Sequence, residues 1–223
     1  MKVFIVYWHP EPKSFNGAML RAACETLDAA GHQVSTSDLN EMGFNPVSGR
    51  HNFNIVKDPS HFKQQIEELH ATENHGFATE VESEIKKMEG CDLMIWQFPL
   101  WWFGLPAALK GWVDRVFAMG RTYGGGHFYE TGVFRGKRAF LSLTTGGPLE
   151  AYRTGGFNGD IAAILRPIHR GMLQFVGFDV LAPQIVYGPV HLTDEERRQQ
   201  LATYAARLQR IADESPIEVG SYG

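Results

Sequence analysis

Three consecutive aromatic residues, Trp101, Trp102 and Phe103, follow a short apolar run at 92–97. The run is typical of a buried strand, and the residues after Pro106 repeat with a helical period, so the aromatic residues connect a strand to a helix. Three large rings in a row cannot all point into one core. In an open α/β sheet, ligands bind beyond the carboxyl ends of the strands. The stretch therefore predicts a wall for a flat ligand, with anchoring of the loop to the core as the alternative.

A second stretch could supply hydrogen-bond donors to the same ligand. Residues 138–144 are predicted to form a strand that ends in Thr144-Thr145-Gly146-Gly147. Two hydroxyls and two glycines can bring backbone N–H groups close to an anion or to the polar edge of a ring. A plain turn explains these residues equally well.

The loop after the first predicted strand, Lys2–Tyr7, leads into a helix that begins near Phe15 with Ser14 as its cap. The first turn of such a helix presents free N–H groups and the positive end of the helix dipole, which suits a phosphate. Nearby side chains could add donors, namely those of His9, Lys13, Ser14 and Asn16. Neither the GxGxxG motif nor the P-loop motif is present.

Strands alternate with helices along the chain, which predicts a single α/β domain over residues 1–223 with a doubly wound, parallel, five-stranded sheet and helices on both faces. Further strands are predicted at Gln33–Asp38 and Val180–Tyr187. Helices are predicted at about 60–70, 79–89 and 160–176, and after the capping box Thr193-x-x-Glu196. Residues 39–60 form a long irregular excursion, and loops of that length are usually functional or part of an interface.

The composition excludes several classes of partner. The net charge is -4 and no basic cluster occurs, which argues against nucleic acid or an anionic membrane as a ligand. No apolar run is long enough to span a bilayer, and no basic segment leads into a signal-peptide core, so we expect a cytoplasmic protein. The two cysteines, Cys24 and Cys91, lie far apart and match no metal-ligand spacing.

The motif at 98–112, together with 9–16 and 143–147, resembles the NAD(P)H:quinone oxidoreductases of the DT-diaphorase and quinone reductase 2 type. The resemblance extends along essentially the whole chain. It implies a flavodoxin-like fold with bound FAD, NAD(P)H as the electron donor and a quinone as the acceptor. It also implies two-electron, ping-pong hydride transfer through flavin N5, and a homodimer with shared active sites.

Site residues follow from the resemblance by position. His9, Phe15 and Asn16 would hold the pyrophosphate and ribityl part of FAD, and Arg197 would lie on the adenine side. Two stretches would flank the isoalloxazine ring: Pro99, Leu100, Trp101, Trp102 and Phe103, and Thr144, Thr145, Gly146 and Gly147. Tyr152, at the pyrimidine edge, and Asn158 would be catalytic. The nicotinamide and quinone pocket would be lined by Tyr123, Gly125, Phe128 and Phe175, with Tyr123 and Phe128 acting across the dimer interface.

Three positions depart from the pattern of the family. Asn158 replaces the histidine that is paired with the catalytic tyrosine in DT-diaphorase, as it does in quinone reductase 2. Gly125 replaces a second pocket tyrosine, which should loosen that wall. Arg170 and Gln174 replace the metal-site histidines of quinone reductase 2, so we expect no metal.

Two other functions remain compatible with the sequence. Similar flavoproteins are regulatory subunits of potassium-efflux systems, and the same flavin could reduce azo or nitroaromatic compounds. The sequence does not choose between NADH, NADPH and another dihydronicotinamide as the donor.

Overall fold

The computed structural model describes residues 1–222 and contains one fully parallel sheet. Its strands are β1 (Lys2–Tyr7), β2 (Gln33–Asp38), β3 (Leu93–Pro99), β4 (Arg138–Thr145), β5 (Asp179–Val180) and β6 (Gln184–Tyr187). They run in the order β2-β1-β3-β4-β5, and β6 also pairs with β4. This order confirms the predicted doubly wound, flavodoxin-like sheet.

The last predicted strand, Val180–Tyr187, is wrong as a continuous element. It is two short strands that pair with different parts of β4: β5 lies beside Arg138 and Ala139, and β6 lies beside 142–145. Pro183 falls between them, and a proline has no N–H for a sheet ladder. As a result, β6 extends the sheet at its carboxyl edge, where Tyr187 lies opposite Thr145.

The connections are α1 (Phe15–Ala29), α2 (Gln64–Asn74), α3 (Thr79–Gly90), α4 (Ala107–Val116), α5 (Ile161–Ile168) and α6 (Asp194–Leu208). The helix predicted at about 60–70 begins later, at Gln64. The helix predicted at 160–176 is α-helical only to Ile168 and continues as a π-helix over His169–Gln174. Pro167 has no N–H to donate within the α-helical ladder, and the wider pattern follows directly after it.

Apolar residues on both faces of the sheet form two separate cores. Val3 and Ile5 of β1 pack with residues of α1 and α6, whereas Phe4 and Val6 pack on the opposite face with α3, α4 and α5. Successive residues of a strand point to opposite faces, so a strand that is buried on both sides is apolar throughout. The predicted arrangement of helices on both faces is therefore confirmed.

The excursion at 39–60 packs against α4. Arg115 on that helix is buried, and its guanidinium donates at 2.7 Å to the Asn52 side chain, the Asn45 carbonyl and Glu80. A Cβ on Gly111 would lie 2.2 Å from the Pro46 carbonyl oxygen, so only glycine permits this close contact. Within residues 1–222, no helix combines the length and apolarity needed to cross a membrane.

Candidate functional site

A buried amide network joins the start of α1 to the carboxyl ends of β3 and β4. Asn16 donates through Nδ2 to Thr144 Oγ1 at 2.7 Å, and its Oδ1 accepts from Gln97 Nε2 at 2.6 Å. Both polar atoms of Asn16 are thus used inside the protein, so the side chain fixes the helix in place. Gln97 was missed by the sequence reasoning, although a polar residue inside an apolar strand was a usable signal. Its Oε1 is buried without a partner in the described part of the chain.

The first turn of α1 is open to a ligand. Ser14 Oγ accepts from Gly17 N at 3.1 Å, and Ser14 O accepts from Ala18 N. The amides of Phe15 and Asn16 precede these bonds and have no partner within the helix. A Cβ on Gly17 would lie 2.1 Å from Pro12 O, so glycine allows the preceding loop to fold closely over this turn. The turn can therefore offer two N–H groups to an anion.

His9 lies in the same loop as a neutral ring. His9 Nδ1 lies 3.0 Å from both the backbone nitrogen and the carbonyl oxygen of Glu11, so the tautomer of the ring decides which of the two hydrogen bonds forms. Burial lowers the pKa of His9 and favours this neutral form. The neighbouring Trp8 contacts Trp101 edge-on with ring centroids 5.0 Å apart. The loop therefore packs directly against the aromatic stretch, a contact that the sequence reasoning did not predict.

Trp101–Gly104 forms a tight turn that we call the aromatic hairpin. Gly104 N donates to Trp101 O at 3.0 Å, and both central residues have positive φ, 50° at Trp102 and 59° at Phe103. Turns of this kind normally contain asparagine and glycine at these two positions. Trp102 is 97% exposed and Phe103 is 51% exposed. Backbone strain together with exposed large rings is characteristic of a ligand site.

The aromatic hairpin borders a cavity of about 480 Å³, here called the ring cavity. A Cβ on Gly147 would lie 3.4 Å from the Tyr152 ring and 3.7 Å from Asn158 Nδ2, so the glycine turn adjoins both side chains. Thr145 Oγ1 donates to Gly147 O at 2.8 Å and fixes the turn. The cavity brings together most residues predicted around a flat ring: Leu100, Trp101, Trp102, Phe103, Tyr152 and Asn158.

A second cavity, of about 510 Å³, lies between the first turn of α1 and the start of α6. We call it the helix groove. It is lined by Phe15, predicted to hold the pyrophosphate and ribityl part of the ligand, by Arg197, predicted on the adenine side, and by Lys13 and Ser14. Arg197 Nη1 donates to the carbonyl oxygens of Pro189 at 3.1 Å and Leu192 at 2.6 Å, which holds the guanidinium beside the groove.

Comparisons with known proteins identify the family of the chain. A family model described as a flavodoxin-like fold matches residues 1–211. The ribosyldihydronicotinamide dehydrogenase (quinone) of Rattus norvegicus is 43% identical over 97% of this chain and 94% of its own length. The NAD(P)H dehydrogenase (quinone) 1 of Cavia porcellus is 42% identical over 97% of this chain and 79% of its length. The chain belongs to the NAD(P)H:quinone oxidoreductase family.

Membership of the quinone oxidoreductase family makes the protein an oxidoreductase. A solved structure from Klebsiella pneumoniae, described as that of a quinone reductase, matches with a TM-score of 0.93 and 38% identity. The match covers 97% of this chain and 87% of the Klebsiella chain. The two chains therefore have the same fold across nearly their whole length.

In the single chain described here, the residues predicted to bind substrate do not line the ring cavity. Phe175 contacts Tyr123 and Phe128, with ring centroids 5.8 Å and 5.2 Å apart, and Tyr123 and Phe175 line a third cavity of about 400 Å³. We call it the Tyr123 cavity. Gly125 has φ 60°, and a Cβ there would meet only His127, at 3.9 Å.

Arg170 and Gln174, which stand where quinone reductase 2 has metal-site histidines, contact each other and Tyr129. The Arg170 guanidinium lies 4.1 Å from the centre of the Tyr129 ring and donates to Gln174 Oε1 at 3.4 Å. Among residues 1–222, no group of three or more His, Cys, Asp or Glu side chains is arranged to hold a metal ion. The expectation of a metal-free protein stays a prediction.

Proposed function

We propose that this oxidoreductase transfers two electrons from NAD(P)H to quinones through a bound FAD. The observation that carries the proposal is the ring cavity, where the aromatic hairpin faces Tyr152, Asn158 and the glycine turn. A flat redox cofactor needs an apolar wall for its face and donors at its polar edge, and this cavity offers both.

The two cavities fit a dinucleotide better than a mononucleotide. The ring cavity and the helix groove both fall within the usual size range of small-molecule sites. The start of α1 connects the groove to the glycine turn, because Phe15 lines the groove and Asn16 is bonded to Thr144, two residues before Gly146. FMN would leave the groove empty, so we propose FAD.

The chemistry that a flavin held by these residues would supply is hydride transfer from the dihydronicotinamide to the quinone. The residues of this chain stabilise the charge that develops at the ring edge, because the Tyr152 hydroxyl and the amides of Gly146 and Gly147 can donate hydrogen bonds to it. The Asn158 amide can also donate, but it does not titrate near neutral pH. Donor and acceptor would use the same open face in turn, which gives ping-pong kinetics.

A second copy of the chain would complete the site. The cluster of Tyr123, Phe128 and Phe175 does not line the ring cavity of its own chain, while Trp102 and Phe103 of the aromatic hairpin are open to solvent. We propose a homodimer in which this cluster faces the ring cavity of the partner. Light scattering should give a dimer, and a fully active monomer would contradict the shared site.

The cofactor is tested first on the purified protein. Heat release of the bound flavin followed by chromatography should give FAD. Recovery of FMN, or of no flavin, would remove the dinucleotide assignment.

The role of Tyr152 is tested by following flavin reduction in a stopped-flow instrument. Tyr152→Phe should slow reduction by roughly tenfold to a hundredfold, the effect of about one lost charge-assisted hydrogen bond. Tyr187→Phe is the matched control, since its ring lies 6.0 Å from that of Tyr152. An unchanged rate in Tyr152→Phe with FAD still bound would show that the hydroxyl is not catalytic.

The relatives favour quinone reduction over the potassium-efflux and azo or nitroaromatic alternatives, because those reported above are named for quinones. Specificity constants for quinones, azo dyes and nitroaromatics would measure this preference directly. A parallel comparison of NADH, NADPH and ribosyl dihydronicotinamide would identify the donor.

A further inference from the structure

Glu68 on α2 is a buried carboxylate at the wall of the Tyr123 cavity. Its Oε2 accepts from Met119 N at 2.8 Å and from the Tyr123 hydroxyl at 3.3 Å, and its Oε1 accepts from Gln64 Nε2 at 2.9 Å. Only 2% of the residue is exposed. The carboxylate is therefore surrounded by neutral donors, one of which is a residue assigned to the quinone pocket.

The adjacent residue shows how unusual this setting is. Glu67 is equally buried, but it lies 3.6 Å from Arg50 and accepts from two backbone amides, those of Lys57 and Asp58. Glu68 has no ion-pair partner in the part of the chain that the structure describes. A buried carboxylate without a cation is costly, and burial accordingly raises the pKa of Glu68.

The other groups around Glu68 do not replace a cation. The titratable residues that line the same cavity are Tyr123 and Asp114, and Asp114 is paired with Lys110 at 2.6 Å. Burial, followed by the charge of Glu68, raises the pKa of Tyr123, so the phenol is protonated at neutral pH. Glu68 is thus the group around this cavity that is placed to exchange a proton with the phenol.

The direction of the Tyr123 hydroxyl depends on the protonation of Glu68. When Glu68 is ionised, the phenol O–H points at the carboxylate, and its oxygen accepts from Gln65 Nε2 at 3.3 Å. When Glu68 is protonated, the carboxyl O–H can donate to the phenol oxygen, which frees the phenol O–H to turn toward a ligand in the partner's ring cavity. One proton can therefore pass from Glu68 through Tyr123 to a carbonyl oxygen.

We propose that Glu68 and Tyr123 form a proton relay for the acceptor half of the reaction. The inference rests on the proposed quinone reduction and on the proposed dimer. Reduction of a quinone to a hydroquinone needs one hydride, which carries both electrons, and one proton. Tyr123 gives its proton to the quinone oxygen, Glu68 restores the phenol, and solvent reprotonates Glu68. Glu68 acts through Tyr123 and is a positioning and proton-supplying residue.

The test compares two acceptors in the flavin-loaded dimer. Ferricyanide takes single electrons and no proton, whereas a benzoquinone needs the proton. Glu68→Gln and Tyr123→Phe should each lower the ratio of quinone to ferricyanide turnover by roughly a hundredfold, the lower end of the contribution of general acid catalysis. Glu73→Gln, an exposed residue of the same helix, is the charge-matched control.

The pH profile and the double variant separate a relay from a structural effect. Quinone turnover relative to ferricyanide turnover should fall as pH rises through the Glu68 ionisation, and Glu68→Gln should abolish this inflection. The double variant should be no slower than either single variant, because both substitutions interrupt one path. Additive losses, or an inflection that persists in Glu68→Gln, would overturn the relay.

A readout without turnover tests the carboxyl directly. Carbon-13 NMR of protein labelled in its glutamate carboxyls should show one resonance that titrates above the ordinary glutamate range and that is missing in Glu68→Gln. A normal titration would overturn the relay. If the wild type reduced no quinone, the proposed function would fail and the relay with it. If the wild type reduced quinone but neither variant changed the ratio of quinone to ferricyanide turnover, the relay would be overturned and the proposed function would stand.

Discussion

The aromatic hairpin should make the flavin-free protein less stable than a variant with a simpler turn. Trp102 has φ 50° and is 97% exposed, so its side chain contributes almost no burial to stability while its backbone is strained. Left-handed backbone costs an ordinary residue roughly 1–2 kcal/mol, and asparagine tolerates it best among residues other than glycine. Trp102→Asn should therefore stabilise the flavin-free protein by about 1 kcal/mol.

Calorimetry of the flavin-free protein measures this effect. For a chain of this size, 1 kcal/mol corresponds to a rise in melting temperature of about 2–4 °C. Phe157→Asn is the matched control, because Phe157 is 98% exposed and is not among the residues with positive φ. It should change the stability by less than about 0.5 kcal/mol.

The same substitution should weaken cofactor binding, because it removes one ring from the wall of the ring cavity. Stacking on an aromatic side chain contributes about 1–3 kcal/mol, so the dissociation constant for flavin should rise roughly tenfold to a hundredfold. Fluorescence titration of the flavin-free protein would measure it. If Trp102→Asn melted at a lower temperature than the wild type, or bound flavin equally well, the argument would be refuted. Backbone strain at Trp102 would then not be explained by a role of its ring in flavin binding.

Three further predictions concern buried polar groups and the catalytic pair. Asn16→Ala leaves Gln97 and Thr144 without their partner, so urea denaturation should show a loss of about 2–4 kcal/mol. Burial lowers the pKa of His169 to about 4, so the unfolded chain binds a proton first as pH falls. Stability should therefore decrease between about pH 6.5 and pH 4, by up to about 3 kcal/mol, and His169→Leu should flatten this part of the pH–stability curve. Asn158→His should introduce an ionisation near pH ~6.5 into flavin reduction, where we expect the natural protein to show none; the absence of a new inflection would place residue 158 away from the flavin.

Local patterns were enough to predict most of the sheet. Continuous apolar runs identified β1, β3 and β4, because strands buried on both faces are apolar throughout. The same reasoning predicted β5 and β6 as one strand, because Leu181 between them is apolar. The break at Pro183 depends on pairing with β4, which a local pattern does not show. The π-helix after Pro167 was missed for a similar reason, because its apolar spacing is close to that of an α-helix.

The site was predictable where its residues lie in one loop, and less so where distant segments meet. Trp101–Phe103 was expected to form a wall, but nothing in its composition indicated positive φ, which aromatic residues rarely adopt. The contact of Trp8 with Trp101, and that of Glu68 with Tyr123, join residues far apart in sequence. Such pairs depend on tertiary packing, and the local periodicity of a sequence does not show which distant segments come into contact.

The π-helix at His169–Gln174 also constrains how the length of the chain can vary. A π turn contains one more residue than an α turn, and each residue of a helix advances about 100° around its axis. Deletion of one residue there would restore α-helical spacing and rotate Phe175 by about 100°, away from Tyr123 and Phe128. We therefore expect natural variation in this segment to consist of substitutions, with insertions and deletions excluded, so that Phe175 keeps its direction.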